Sequence, residues 1–452
     1  MSRLRKHPWL IQYSALWVFW VSLMCCTPSH ASQTLPIIRI DAQGLTPLQL
    51  GLNLGRAHKL QFPSIEQQYD QHLASLLNRA QFNALKTRLL PTLLAQLDTR
   101  YLEEMRGVAS AWETTQDSAP GDGQLSLTEL QVLNLLPDLG FAPNGSGLGA
   151  FAQASAGGYT LVGRTLDWDS SAALRQLQAI TVYQYADTHL VNIGFAGLSS
   201  VLTGFNEQGL FLALFNAAPY TPYVVSTASL QHPRASAFDV RTSLSDYQNV
   251  SAASYFLRGR HYGFGSNILM ADKLSVHVLE HPAGRDAQIR RWDSSLYASR
   301  IWNHPQQVAV VDCYLLSTLI NNCHDASDVI RWQRLDELSN LATNEVVTAR
   351  SLSTHLLDTK HRGFEIFNAQ TLQSLVYQAE RNELYLYTAP VDSSNKTVAS
   401  MQLYTDLAPT HARQDQGRLW KIGLLWFFLI TLIVSTLWFI RRAHRQKINA
   451  QC

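Results

Sequence analysis

The chain has 452 residues in which 36 Lys and Arg stand against 34 Asp and Glu, for a formal charge of +2. So even a balance, with no basic stripe, leaves no electrostatic footprint for a phosphate backbone, and no nucleic acid partner is expected. With 46% apolar residues the chain has material for a large buried core.

Residues 1–31 read as a secretory signal peptide. Arg3, Arg5 and Lys6 give a basic start, Ser14 to Cys26 is a short apolar run, and Ser29, His30 and Ala31 make a small-residue cleavage site before Ser32. The run is too short to span a bilayer comfortably as an uncleaved anchor. Cys25 and Cys26 invite a lipidation reading, but Leu23 and Met24 do not form a convincing lipobox.

Residues 32–140 form a helical N-terminal segment, with apolar residues at helical spacing from Thr46 to Leu136 and a break at Pro91. Within it, SAPGDGQLSLTEL is similar to the back half of a calcium loop, with Asp122, Gly123 and Glu129 in place. The front half fails, because Pro120 has no side-chain oxygen for the third ligand position, so no metal or other cofactor is expected. A helix start explains the residues more simply, with Ser126 as N-cap and Glu129 closing a capping box.

Residues 141–407 switch to a two-residue period. AITVYQYA, SVLTGFNEQGLFLALFNA and FGSNILMADKLSVHVLEH read as strands joined by Gly, Asn and Asp turns, and helices return at 311–320 and 327–341. Strand runs with segregated helices indicate an α+β layered fold. Arg164 and Asp167 sit three apart at the end of the alternating segment from Tyr159 to Trp168. The period places them on opposite faces unless the strand ends or kinks between them.

A polar spacer, 408–421, leads to 422–440, a charge-free apolar run of about nineteen residues, enough for roughly 30 Å of hydrocarbon as a transmembrane helix. Arg441, Arg442, Arg445 and Lys447 make the 441–452 tail basic, which places the C-terminus in the cytoplasm and the ectodomain in the periplasm or outside the cell. Only Cys313 and Cys323 then remain in the mature ectodomain. In an oxidising compartment they are candidates for a disulfide worth about 2 to 3 kcal/mol in the chain-entropy model. The competing reading pairs Cys323 with His324 as a nucleophile, but adjacent residues rarely present their side chains to each other.

Several words of the sequence carry a family resemblance. GRTLDW resembles the GRNLDW motif of the N-terminal-nucleophile linear amide hydrolases and acyltransferases, which include choloylglycine hydrolases, acid ceramidase, N-acylethanolamine acid amidase and isopenicillin N acyltransferase. LTGFNEQGL is similar to their GMNEKGL element and points to Asn206. RIWNHP is similar to their TNxP element and points to Asn303. SDVIRWQRLDEL resembles their SxxRxxRL helix and points to Arg331, and TLQSLVYQAERNELYLY resembles the terminal hairpin of the fold. The elements follow family order from about 125 to 390. The resemblance implies a four-layer αββα sandwich and a small-molecule N-acyl amide or lipid-like substrate.

In that family a freed N-terminal residue, normally Cys, attacks an amide while its own α-amine shuttles the proton. By resemblance, Asp167 would hold the amine and Arg164 would favour the ionised nucleophile. Asn206 and Asn303 would donate hydrogen bonds to the tetrahedral oxygen or the scissile amide, and Arg331 would organise the pocket or meet a polar substrate group. The nucleophile itself is missing. The longer family spacing places Gly145 where Cys belongs, the shorter places Leu148 there, and no cysteine lies between Cys26 and Cys313. Three readings stay open: Ser146 as a serine nucleophile freed by a cut after Gly145, an inactive descendant that keeps a pocket for acyl amides or lipids, and a glycine-rich turn of no functional meaning. The first requires a one-residue shift, which turns a strand side chain to the opposite face.

Overall fold

The computed structural model describes residues 34–115, 119–168, 171–217, 233–341, 346–391 and 399–408, together with Trp426, Ile430, Thr431, Ser435 and Thr436. The signal peptide of 1–31 and the basic tail of 441–452 lie outside these residues. The 422–440 span does too, except for the last five residues named, which are helical. Among the described residues no helix is long and apolar enough to cross a membrane.

Fourteen described strands follow the chain: β1 (Ile37–Asp41), β2 (Gly147–Ala150), β3 (Leu161–Asp167), β4 (Gln178–Gln184), β5 (His189–Phe195), β6 (Thr203–Asn206), β7 (Phe211–Asn216), β8 (Ser266–Ala271), β9 (Val276–His281), β10 (Gln288–Arg290), β11 (Gln307–Val310), β12 (Thr371–Gln378), β13 (Glu383–Thr388) and β14 (Gln402–Tyr404). They form two sheets, ordered β1-β4-β5-β6-β7-β8-β9-β10 and β11-β2-β3-β12-β13-β14. Within each, alternation divides the side chains between two cores. In β7, Phe211, Ala213 and Phe215 join Val162, Val308 and Leu375 of the other sheet in one buried cluster. Leu212 and Leu214 turn to the opposite side and pack with helical residues such as Leu54, Tyr69 and Phe238. The outer face of the six-stranded sheet, with Leu148, Leu161 and Val376, packs on Trp332, Leu335 and Leu352. The result is four layers, with helices outside two facing sheets.

The described residues of the two sheets and their helices, from Leu35 to Ala408, belong to one compact unit. The N-terminal segment carries more than helices, because β1 precedes them and pairs in parallel with β4 at the edge of the eight-stranded sheet. Pro91 falls in the first turn of the helix Leu90–Gln96, just after the helix Arg79–Arg88 ends, where a missing N–H costs nothing. Ser126 and Glu129 form a capping box. The Gly121 and Gly123 amides donate instead to the Asp70 carboxylate, at 2.6 and 2.7 Å.

The expectation of a helix over 311–320 fails. The Leu315 and Leu316 amides donate to the buried carboxylate of Glu280 at 3.0 Å, so the i to i−4 ladder never forms there. Glu280 is itself paired with Arg290, and a disulfide between Cys313 and Cys323 closes the loop.

Candidate active site

β2 and β3 run antiparallel, with Gly147 opposite Arg164 and Leu148 opposite Gly163. Pairing continues beyond β2. The Thr165 amide donates to the Ser146 carbonyl at 2.8 Å, and Asn144 and Asp167 exchange backbone hydrogen bonds of 2.9 Å. Opposed residues share a face, and successive residues alternate. Asn144, Ser146, Thr165 and Asp167 therefore occupy one face, and Gly145, Gly147 and Arg164 the other.

The first face borders a cavity of about 610 Å³ whose wall includes Asn144, Asp167, Asn216, Asp312, Asp328 and Arg331. Asp167 is nearly fully buried. It accepts hydrogen bonds from Thr371 Oγ1 at 2.7 Å and Asn368 Nδ2 at 2.8 Å, and Arg331 approaches it at 3.2 Å. The same guanidinium lies 3.8 Å from Asp312. Both Asp312 oxygens accept the Gly145 amide at 3.0 Å. Burial pushes the Asp312 carboxyl well above its ordinary range, Asp328 adds repulsion, and Arg331 and the Gly145 N–H oppose the rise. Asp328 is pushed up to about 6 by burial and by Asp325, against the pull of Arg331.

Ser146 is fully buried, and its Oγ has no hydrogen-bond partner. Its amide skips the carbonyl of Thr165 and donates to the Thr165 hydroxyl at 2.9 Å. Gly145 cannot carry a side chain in this conformation, because a Cβ there would overlap the Thr165 carbonyl oxygen.

Of the residues the motifs point to, Asp167 and Arg331 line the cavity, and Ser146 lies two residues beyond Asn144 of its wall without being part of it. Arg164 does not reach it. From the opposite face of β3, its guanidinium donates to the carbonyl of Leu214 at 2.9 Å and to Thr203 Oγ1 at 3.0 Å, and it stacks 4.3 Å over the Phe215 ring. Asn206 is a turn residue. Its Nδ2 donates to the carbonyls of Leu244 and Tyr247, and its Oδ1 accepts the Leu210 amide, so the whole amide is spent on backbone. Asn303 is exposed on the loop before β11 and lies outside the cavity wall.

Asp312, Asn144 and Asn216 replace them at the cavity, with Asn216 Nδ2 donating to Asn144 Oδ1 at 3.0 Å. The disulfide loop supplies the rim. Asn322 accepts the Tyr314 amide at 2.8 Å and donates to the Ala217 carbonyl at 2.6 Å, which carries Asn321, His324 and Asp325 into the cavity lining.

No protein-family model matches the sequence, and no curated protein matches it. Among solved structures, the chain is similar to a Caenorhabditis elegans N-acylethanolamine-hydrolyzing acid amidase ortholog, at 18% identity over 51% of this chain and 92% of that one, with a TM-score of 0.39. It is similar to a mutant of conjugated bile acid hydrolase from Clostridium perfringens at 12% identity over 58% of this chain and 92% of that one, with a TM-score of 0.38. Penicillin V acylase from Agrobacterium tumefaciens aligns at 12% identity over 54% of this chain and 83% of its own, with a TM-score of 0.36. All three are N-terminal-nucleophile hydrolases, the group whose motifs this chain's sequence resembles.

Proposed function

We propose that the chain is an N-terminal-nucleophile hydrolase or acyltransferase for linear amides, with Ser146 as the nucleophile after a cut between Gly145 and Ser146. One observation carries the reading: the strand register puts Ser146 on the same face as Asp167 and the cavity, opposite to Arg164. The one-residue shift from the usual cysteine position thus turns the hydroxyl toward the cavity side.

In the cut, Ser146 Oγ adds to the Gly145 carbonyl carbon, an ester forms as the C–N bond breaks, and the nitrogen leaves as a free amine. Water then hydrolyses the ester to a Gly145 carboxylate and the Ser146 hydroxyl. In turnover, the α-amine, with an ordinary pKa of about 7.7, takes the hydroxyl proton as Oγ attacks the substrate carbonyl. It returns that proton to the departing amine. Water or a second amine accepts the acyl group. The Thr165 hydroxyl, already 2.9 Å from the Ser146 nitrogen, would hold the amine, and the Asn216 side chain is the candidate oxyanion donor, a role worth about 3 kcal/mol. On this reading the 422–440 span tethers the domain outside the membrane.

A second reading, a binding module without turnover, is favoured by one specific fact: Ser146 Oγ is fully enclosed, and no other nucleophile stands at the head of β2. Intact mass and N-terminal sequencing of the purified protein separate the two. The hydrolase reading expects a chain beginning at Ser146, absent in Ser146→Ala and slowed in Thr165→Val. An uncut wild-type protein counts strongly against the hydrolase reading and leaves the binding module.

A further inference from the structure

Resting on the hydrolase reading of this cavity, we infer that its substrate is a small hydrophilic amide bearing a positive charge, in place of the fatty or lipid-like acyl amide that the family resemblance suggests. Among the described residues no apolar side chain lines the cavity. Its neutral lining comprises the amides of Asn144, Asn216, Asn321, Asn322 and Gln370, with Ser327. Its ionisable groups are Asp167, Asp312, Asp325, Asp328, Arg331 and His324. An acyl chain would press against amide and charged groups that lose water on contact with it and find no hydrogen-bond partner in return.

The charges do not cancel. Arg331 serves both Asp167 and Asp312, which leaves that trio one negative charge in excess when both carboxyls are ionised. Asp325 and Asp328 add to it, and neither forms an ion pair among the described residues. Asp325 has a local task, because its Oδ1 accepts the Ser327 amide at 2.7 Å at the start of the helix Ala326–Leu341. Asp328 is only 8% exposed; Arg331 pulls on it but is already shared between Asp167 and Asp312, and a buried carboxylate without an ion pair of its own is costly to keep. A ligand ammonium would supply one.

A separate feature fits the amide end. Arg331 is itself only 8% exposed, and its Nε–H has no acceptor. That buried donor in the cavity lining suits a ligand carbonyl oxygen. With a volume of about 610 Å³, the cavity lies within the usual range for small-molecule sites.

The test is calorimetric titration of the full-length Ser146→Ala protein, so that turnover cannot consume the probes. The cationic probes are N-acetylputrescine and glycine methylamide, which place the charge on the amine side and the acyl side. N-pentylacetamide and N-methylpropanamide are their neutral counterparts, and lauric acid methylamide is the apolar one. At least one cationic probe is expected to bind about tenfold more tightly than its neutral counterpart, with the difference shrinking in Asp328→Asn and in high salt. Equal binding of charged and neutral probes, tighter binding of the lauroyl amide, or no binding of either cationic probe overturns the inference. The two proposals fail separately: an uncut wild-type chain that still prefers the cationic probe loses the hydrolase reading and keeps the ligand class. A cut enzyme that hydrolyses only apolar amides does the reverse.

Discussion

Arg164 carries a charge into a place where no carboxylate touches it. Its Nη1 donates to carbonyls and one hydroxyl of the facing sheet and its Nε to the Thr165 carbonyl of its own strand, and burial pushes its pKa down to about 9 while Asp312 and Asp167 pull the other way. The side chain is best understood as a rivet between the sheets. Replacing it by Leu leaves buried acceptors with no donor, which should cost about 3 kcal/mol in urea unfolding. A loss below about 1 kcal/mol would mean that the carbonyls find other donors. Sequence motifs found Arg164, Asp167 and Arg331, because each lies in a recognisable word. They could not show that Arg164 points away from the cavity, since that depends on where β2 meets β3. Asp312 was illegible for another reason. In VVDC nothing distinguishes it, and its role arises only when β11 sets it under Gly145. The words around Asn206 and Asn303 could not show which asparagines reach the cavity, because asparagine suits a turn as readily as an oxyanion hole.

At the scale of the element, β2 explains the GSGLGA run better than a turn does. Gly147 and Gly149 face the other sheet, where added Cβ atoms would come within 2.9 Å of Leu269 Cδ2 and 2.7 Å of Val276 Cγ1 respectively, and the one at Gly147 would also crowd Val310 Cγ1 of the neighbouring β11 at 2.7 Å. The bare strand lets the two sheets close together while Leu148 and Ala150 pack outward. Gly149→Ala should therefore destabilise by roughly 1 to 3 kcal/mol. Gly259→Ala, with nothing near its Cβ, serves as the control, and equal thermal midpoints for the two variants would refute the account. The period-two segments and the terminal hairpin were legible because alternation is local. The false helix at 311–320 was not, since its amides are claimed by Glu280, 35 residues upstream of Leu315.

The whole molecule joins its helical layer to the eight-stranded sheet through buried polar groups as well as apolar ones. His58 is fully buried. Its Nδ1–H donates to the Leu54 carbonyl at 2.8 Å, so its Nε2 accepts from Thr181 Oγ1, 3.1 Å away on β4. Burial pushes its pKa down to about 4, against the pull of that carbonyl. Because the folded value lies below the unfolded value of about 6.5, the unfolded chain binds the proton first, and stability is lost as pH falls between the two. The stability difference between wild type and His58→Gln should shrink by about 3 kcal/mol from pH 7 to pH 4. Asp138, pushed up to about 7 by burial, has the opposite slope, which cancels in the difference. Parallel curves for the two proteins would refute the assignment.

β1 and the helices up to Asn134 all precede Gly145, yet they cover one sheet and supply its edge. Glu104 of that stretch pairs with Arg241 beyond the cut at 2.8 Å, and Asn134 Oδ1 accepts the Ser199 amide at 2.8 Å. The disulfide, between Cys313 and Cys323, lies wholly on the later side. A cut at Gly145 would thus leave a noncovalent heterodimer that migrates as two polypeptides under denaturing conditions and as one species in gel filtration. Refolding would become a second-order reaction, and the unfolding temperature would rise with protein concentration. Maturation would convert a chain that can recover from unfolding alone into one that must find its other half.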